Sequence, residues 1–201
     1  MAIYRGGRSI YGEAIGILLL DTRFPRIPGD IGNASTFDFP VRIRMVPGAT
    51  PQRIVLEGDE SVMPEFVKVG KELEAEGVRA ITTSCGYLTT FQEALINAVK
   101  IPVFTSSLLQ VPMVSRMLPR GKKVGILTID SRRLNDTCLR AAGITSEPIV
   151  IMGSAPDRTA LEREFVTVSH RPDRLFEDAS VHDAHPEALL ERLRGLRSHP
   201  G

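Results

Sequence analysis

The chain has 201 residues, 42% hydrophobic and 24% charged, which is typical of a soluble globular protein with one domain or two small lobes sharing a core. Its 25 basic and 24 acidic residues give a formal net charge of +1 without a dominant basic block, so neither nucleic acid nor an anionic membrane is an expected partner. The two cysteines, Cys85 and Cys138, form no CxxC motif, which favours reduced thiols in a cytoplasmic protein.

Strand-like and helical segments alternate in the first half of the chain. The longest aliphatic stretch, 15–20, predicts a buried strand and is too short to cross a bilayer. After a long loop rich in proline and glycine, VRIRMV (41–46) alternates like a strand with one exposed face. A helix is predicted over 61–76 with Gly77 as its C-cap, followed by a strand over 78–83. A helix carrying Phe91, Leu95 and Ala98, the strand IPVFTSS and a helix with Pro112 in its first turn complete this series.

A second series begins after Gly121. The segments KKVGILTID and PIVIM predict strands, and between them lies a predicted helix over 131–142 that ends at Gly143. This alternation predicts an α/β fold with parallel sheets, divided into a first lobe at 1–117 and a second at 118–201. Further helices are predicted near Leu161 and Phe165 and over 186–197, after which the pattern requires one more strand. We therefore expect the second lobe to be incomplete.

Polar residues follow several of the predicted strands. Because ligands bind beyond the carboxyl ends of parallel strands, these residues are expected to line a binding cleft. Hydroxyls and backbone amides at helix starts suit a small carboxylate. The candidates are Asp21 and Thr22 after the first strand, Thr83, Ser84, Gly86 and Tyr87 around Cys85, Ser106 and Ser107 after the fourth strand, and Thr128 after the fifth.

Cys85 is the candidate nucleophile or base at these strand ends. Amide dipoles at a helix start favour a thiolate, so the pattern predicts a lowered pKa for this thiol. Gly86 next to it permits a ligand to approach the backbone closely. The alternative is a buried cysteine that only packs, which is common for this residue type.

The other chemically interesting residues have simpler explanations. Cys138 lies in the helical segment NDTCLRAAG and is predicted to pack. His182 and His185 have a metal-ligand spacing without a third ligand, which favours a solvated loop and no metal site. Arg23 and Arg26 in the long loop either clamp a carboxylate or are exposed loop charges, and Asn33 is predicted to form a turn.

The stretches DTRFPRIPGD, TTSCGYL, VFTSSLLQVP and KKVGILTID, in this order over residues 15–150, resemble the aspartate/glutamate/hydantoin racemase superfamily. The resemblance implies two pseudo-symmetric Rossmann-like lobes with the active site between them and no cofactor. It also implies a pair of cysteines that remove and return a proton on opposite faces of the carbon next to a carboxylate.

Carried onto this chain, the resemblance makes Cys85 the first-lobe cysteine and gives Asp21, Thr22, Ser106, Ser107 and Thr128 positions along the cleft. Gly86 and Tyr87 replace the Asn-Thr pair common in amino-acid racemases, which argues against an ordinary aspartate or glutamate substrate and leaves the substrate unidentified. The second cysteine has no counterpart. A missing segment would leave apolar surface that a partner, such as a second copy in a homodimer, could cover.

Three hypotheses follow. The first is a cofactor-independent racemase or isomerase that acts by cysteine proton transfer at the carbon α to the carboxylate of a small amino acid or related acid. The second is single-cysteine chemistry, such as decarboxylation or cis–trans isomerisation of a small dicarboxylic acid. The third is a catalytically incomplete protein that only binds small carboxylates.

Overall fold

The computed structural model of the chain describes residues 6–7 and 11–153. Its larger sheet has four parallel strands in the order β2-β1-β3-β4, so the first strand lies in the interior of the sheet. The smaller sheet is a parallel pair of the strands β5 and β6. The strands are β1 Ile15–Leu19, β2 Val41–Met45, β3 Ala80–Thr83, β4 Val103–Phe104, β5 Val124–Thr128 and β6 Ile149–Gly153.

Helices connect these strands, as parallel pairing requires. The α-helices are α1 Met63–Glu76, α2 Gln92–Ala98, α3 Val111–Met117 and α4 Asp136–Ala141. Short 3-10 helices span Ala34–Thr36, Glu60–Val62, Gly86–Phe91 and Ser107–Gln110, and Gln52–Glu57 forms a short π-helix. Within residues 6–7 and 11–153, no helix has the length and apolar character needed to cross a membrane.

The core lies between α1, α2 and the larger sheet. Leu73, Ile81 and Phe66 are fully buried, and the Phe66 ring meets the Phe91 ring edge to face with centroids 5.3 Å apart. At Gly16 in β1, an added Cβ would come within 3.0 Å of a Leu73 methyl carbon, so the absence of a side chain lets α1 approach the sheet closely. This packing holds the carboxyl ends of β1 and β3 in place.

The predicted fold class, α/β with parallel sheets, is confirmed. Gly77 caps α1 with a left-handed φ of 105°, and Pro112 lies in the first turn of α3, both as predicted. The helix predicted from 131 begins only at Asp136, because the Asn135 side chain caps it there by accepting from the Cys138 N–H. The lobe boundary at 117/118 stays a prediction, and the helices predicted beyond 153 lie outside the described residues.

Candidate active site

A cavity of about 470 Å³ opens where the ends of β1, β3 and β4 face β5, which lines it over its whole length, Val124–Thr128. Its position agrees with the rule that ligands bind beyond the carboxyl ends of parallel strands. The sequence-predicted residues that line it are Thr22, Ser84, Cys85, Gly86, Tyr87, Ser106, Ser107 and Thr128. Their binding of a substrate stays a prediction, but the fold brings them to one place.

Two predicted site residues are absent from the described lining. Thr83 is buried, and its hydroxyl donates to the Thr105 carbonyl over 2.6 Å, which ties β3 to the end of β4. Asp21 pairs with Arg23 at 3.7 Å, and its backbone N–H donates to the Ala49 carbonyl. We therefore assign structural contacts to both, and no observed contact with the cavity.

Cys85 stands at the junction between β3 and the 3-10 helix Gly86–Phe91. Its backbone is extended, with φ −138° and ψ 119°, so the chain turns directly after it. The backbone amides of Tyr87 and Leu88 lower the pKa of its thiol, and the Leu88 N–H donates to the Cys85 carbonyl oxygen over 3.2 Å. Both amides therefore favour the charged form of the thiol.

The predicted lowering of the Cys85 pKa is wrong in its net direction. Burial raises the pKa of the Cys85 thiol to about 11, and the amides of Tyr87 and Leu88 only partly offset this effect. The sequence argument identified the amides correctly but omitted the cost of removing a thiolate from water. Without a bound ligand, the thiol is therefore protonated at neutral pH.

Hydroxyl groups hold the neighbouring loops in register. The Leu20 N–H donates to the Ser84 Oγ over 3.1 Å, which joins the end of β1 to the residue before Cys85. The Ser106 Oγ accepts from the Leu108 N–H over 3.2 Å. An added Cβ at Gly86 would lie 3.3 Å from that Ser106 oxygen, so the glycine allows the two loops to approach closely.

Tyr87 links the Cys85 junction to the second sheet. Its hydroxyl lies 2.8 Å from the Thr128 Oγ1 and 2.9 Å from the Asp130 carbonyl oxygen, and it also accepts from the Asp130 N–H over 3.3 Å. Asp130 is itself buried, and its carboxylate takes two hydrogen bonds of 2.9 Å from the Arg132 guanidinium. We infer that the Tyr87 hydroxyl sets the distance between the two walls of the cavity.

Removal of this hydroxyl is expected to destabilise the protein. Tyr87→Phe leaves the buried backbone groups of Asp130 without their side-chain partner, which typically costs about 1–3 kcal/mol of unfolding free energy. Thr128→Val removes one contact of the Tyr87 hydroxyl but keeps its hydrogen bond to the Asp130 carbonyl. A smaller loss of unfolding free energy is therefore expected. Urea denaturation of the two variants checks the order, and an equal or larger loss for Thr128→Val would contradict the assignment.

Arg26 is the functional candidate that the sequence left undecided. It is the one charged side chain among the described residues that line the cavity. Its guanidinium donates to the Asp30 Oδ1 and to the Thr22 Oγ1, each over 2.8 Å, and it lies 4.5 Å from the centre of the Phe24 ring. Arg23 from the same loop has a side chain that is 75% exposed and lies outside the described lining. The two arginines therefore differ in burial and in access to the cavity.

Cys138 is buried in α4, as its sequence context predicts, and does not appear in the described lining of this cavity. It lines a separate, smaller cavity of about 280 Å³ together with Tyr87 and Leu88. Burial raises the pKa of its thiol, which suits a packing role. Among the described residues, no group of three potential metal ligands comes together.

The chain resembles part of several curated proteins that are named as lyases. No protein-family model matches the sequence. The chain is 30% identical over 139 residues to dimethylsulfoniopropionate lyase 7 of Emiliania huxleyi (strain CCMP1516), covering 67% of this chain and 40% of that protein. It is 31% identical over 142 residues to the dimethylsulfoniopropionate lyase of Durusdinium sp. clade D, covering 68% of this chain and 47% of that protein.

Among solved structures, the chain is similar to an aspartate racemase of Picrophilus torridus, with a TM-score of 0.46 and 16% identity over 92% of this chain and 77% of that one. An aspartate racemase homologue from Pyrococcus horikoshii OT3 gives a TM-score of 0.47 and 14% identity over 90% of this chain and 77% of that one. The sequence similarity to the two dimethylsulfoniopropionate lyases covers less than half the length of each of those proteins.

Proposed function

We propose that the chain carries the catalytic cysteine of a lyase that acts on a small carboxylic acid with a leaving group on its β-carbon. The observation that carries the proposal is that the partly buried Cys85 lines a cleft whose described lining contains no histidine, lysine, aspartate or glutamate. Cys85 is thus the base available there, since Tyr87, the other group that can titrate, has its hydroxyl engaged by Thr128 and Asp130. An elimination requires only one such base.

The reaction that fits one base is a β-elimination. The Cys85 thiolate takes the proton from the carbon α to the carboxylate, and the electron pair of that C–H bond forms the Cα=Cβ double bond. The bond from the β-carbon to the leaving group breaks, and its electron pair departs with the leaving group. For dimethylsulfoniopropionate, the substrate in the relatives' names, neutral dimethyl sulfide leaves and acrylate remains.

A cationic leaving group on the substrate would lower the raised pKa of the Cys85 thiol. The pKa of Cys85 is raised because its charged form is buried, and a cation bound nearby stabilises that charged form. A sulfonium group on the β-carbon brings such a charge within a few bond lengths of the α-proton. Substrate binding is therefore expected to lower the pKa of Cys85, so that the thiol loses its proton to water and the resulting thiolate takes the α-proton.

The hypotheses from the sequence change in rank. Proton removal next to a carboxylate by Cys85 remains the central step, and the single-cysteine hypothesis gains support because the relatives are named as lyases. The particular lyase reaction, an elimination, was not among the predicted ones. Racemisation needs a second group on the opposite face of the carbon, and the described lining offers no second thiol.

The test is product analysis with dimethylsulfoniopropionate in deuterium oxide. We expect release of dimethyl sulfide, measured by gas chromatography, with acrylate seen by proton NMR. Recovery of all the substrate, with or without deuterium at its α-carbon, would reject the elimination. Aspartate and glutamate serve as comparison substrates, and inversion of either without dimethyl sulfide release from the sulfonium acid would restore the racemase hypothesis.

A further inference from the structure

We propose that Arg26 binds the carboxylate of the substrate and that this cavity selects small acids with a single carboxylate and no α-amino group. The inference deepens the proposed function, because it concerns the ligand of the same site. It depends on the charge of the lining and on how the guanidinium is held, and neither involves Cys85 or turnover.

The guanidinium of Arg26 is fixed before any ligand arrives. Two of its nitrogens are used by Asp30 and Thr22 at 2.8 Å, and its side chain is only 15% exposed. An arginine has five N–H donors, so donors remain for a carboxylate. Because the two contacts and the Phe24 ring restrict the side chain before binding, little conformational entropy is lost when a ligand binds.

The surrounding loop is built around this side chain. The Asn33 side chain donates to the Arg26 carbonyl over 2.7 Å, and the Gly32 N–H donates to the Asp30 Oδ1 over 2.6 Å. At Gly32, an added Cβ would lie only 2.5 Å from the Arg26 Cδ, so any larger residue would displace the side chain. A loop arginine with only a solvation role has no need of such a space.

The charge of the lining determines which acids fit. Arg26 is the one cation among the described lining residues, and its partner Asp30 holds it from outside that lining, which contains no carboxylate of its own. A second carboxylate on the ligand would lose water without gaining a cation, and an ammonium group, whose N–H donors bind water strongly, would lose that water without gaining a carboxylate. The remaining described lining is mainly apolar or hydroxyl-bearing, which suits a short uncharged or weakly hydrated tail.

Binding of non-reacting acids tests the proposal. Succinate and alanine are propionate with one added charged group, a second carboxylate or an α-ammonium, and the dissociation constants of all three can be measured by calorimetry on the intact chain. We expect propionate to bind at least about tenfold more tightly than succinate or alanine, because each of those two would bury its additional charged group without a partner. We also expect Arg26→Gln to weaken propionate binding about 10- to 100-fold, because it removes charge-assisted hydrogen bonds.

Arg23→Gln is the matched control, because Arg23 lies three residues away in the same loop and outside the described lining. Its propionate affinity is expected to be unchanged. Arg26→Lys keeps the charge but loses the planar fork, so an intermediate loss is expected, and this variant stands in if Arg26→Gln fails to fold. Unfolding midpoints without ligand identify any loss of folding.

Unchanged propionate binding in either Arg26 variant would overturn the proposal, as would tighter binding of succinate or alanine than of propionate. The proposed function is tested separately, because Cys85→Ser is expected to leave propionate binding intact. Propionate binding that depends on Arg26, without any elimination, would reject the proposed lyase activity and retain Arg26 as the carboxylate-binding residue. Elimination that is insensitive to replacement of Arg26 would retain the proposed lyase activity and reject Arg26 as the carboxylate-binding residue.

Discussion

Replacement of Cys85 by serine is expected to reduce dimethyl sulfide release about 100- to 10,000-fold, because loss of a positioned general base commonly costs 10²–10⁴ in rate. The serine hydroxyl keeps the size of the side chain but is far less acidic than the thiol. The two amides of Tyr87 and Leu88 are therefore left without an anion to stabilise. Gas chromatography of the headspace over a timed reaction measures the loss directly.

Cys138→Ala is the control for this substitution. Cys138 is buried in α4 and is absent from the described lining, so its removal should lower stability modestly and leave the rate within a few-fold of the original. A Cys85→Ser protein that retains a tenth or more of the activity would remove Cys85 from the mechanism. A thousand-fold loss in Cys138→Ala at intact folding would transfer the role to that residue.

The pH dependence of thiol reactivity is expected to be steep. The thiol form of Cys85 is neutral and its thiolate charged, so a pKa raised to about 11 keeps the fraction of thiolate low until the pH approaches that value. Between about pH 7 and about pH 10, the rate of alkylation by iodoacetamide should therefore rise about tenfold per pH unit. The Cys138→Ala background leaves one thiol, and mass spectrometry of the intact chain follows its modification.

The same pKa gives a second, kinetic expectation. The quantity kcat/KM reports groups of the free enzyme and should rise with pH in parallel with alkylation, whereas kcat reports the complex with substrate. If the sulfonium group lowers the pKa of Cys85, kcat should level off at a lower pH than kcat/KM. Alkylation that reaches its plateau near the pH expected for an exposed cysteine would contradict the burial of the thiol.

The convergence of the candidate residues was predictable from the sequence because it depends on local patterns. Each of the segments around Thr22, Cys85, Ser106 and Thr128 follows an apolar run bounded by polar residues, and parallel strands end at one edge. Strand lengths were less predictable: β4 is limited to Val103–Phe104, since pairing with a neighbour, and not hydrophobicity alone, determines where a strand ends.

The roles of individual polar groups depended on contacts distant in sequence. Tyr87 was predicted to bind substrate, yet its hydroxyl is used by Thr128 and Asp130, more than 40 residues away. The pKa of Cys85 likewise depends on how much of the protein surrounds it, a quantity that no spacing of residues encodes. The direction of its shift was for this reason predicted wrongly.

By itself, the sequence determined that this protein has an α/β fold with parallel sheets and that a cysteine follows one of its strands among hydroxyl groups, because hydrophobic periodicity and turn residues act over a few positions. Only the tertiary structure distinguished Arg26, which is held by Asp30 and Thr22 within the cavity, from the exposed Arg23 of the same loop. The physical reason is that charge and burial at a site are sums over groups that folding brings together. Two arginines with the same local sequence signal can therefore have opposite environments.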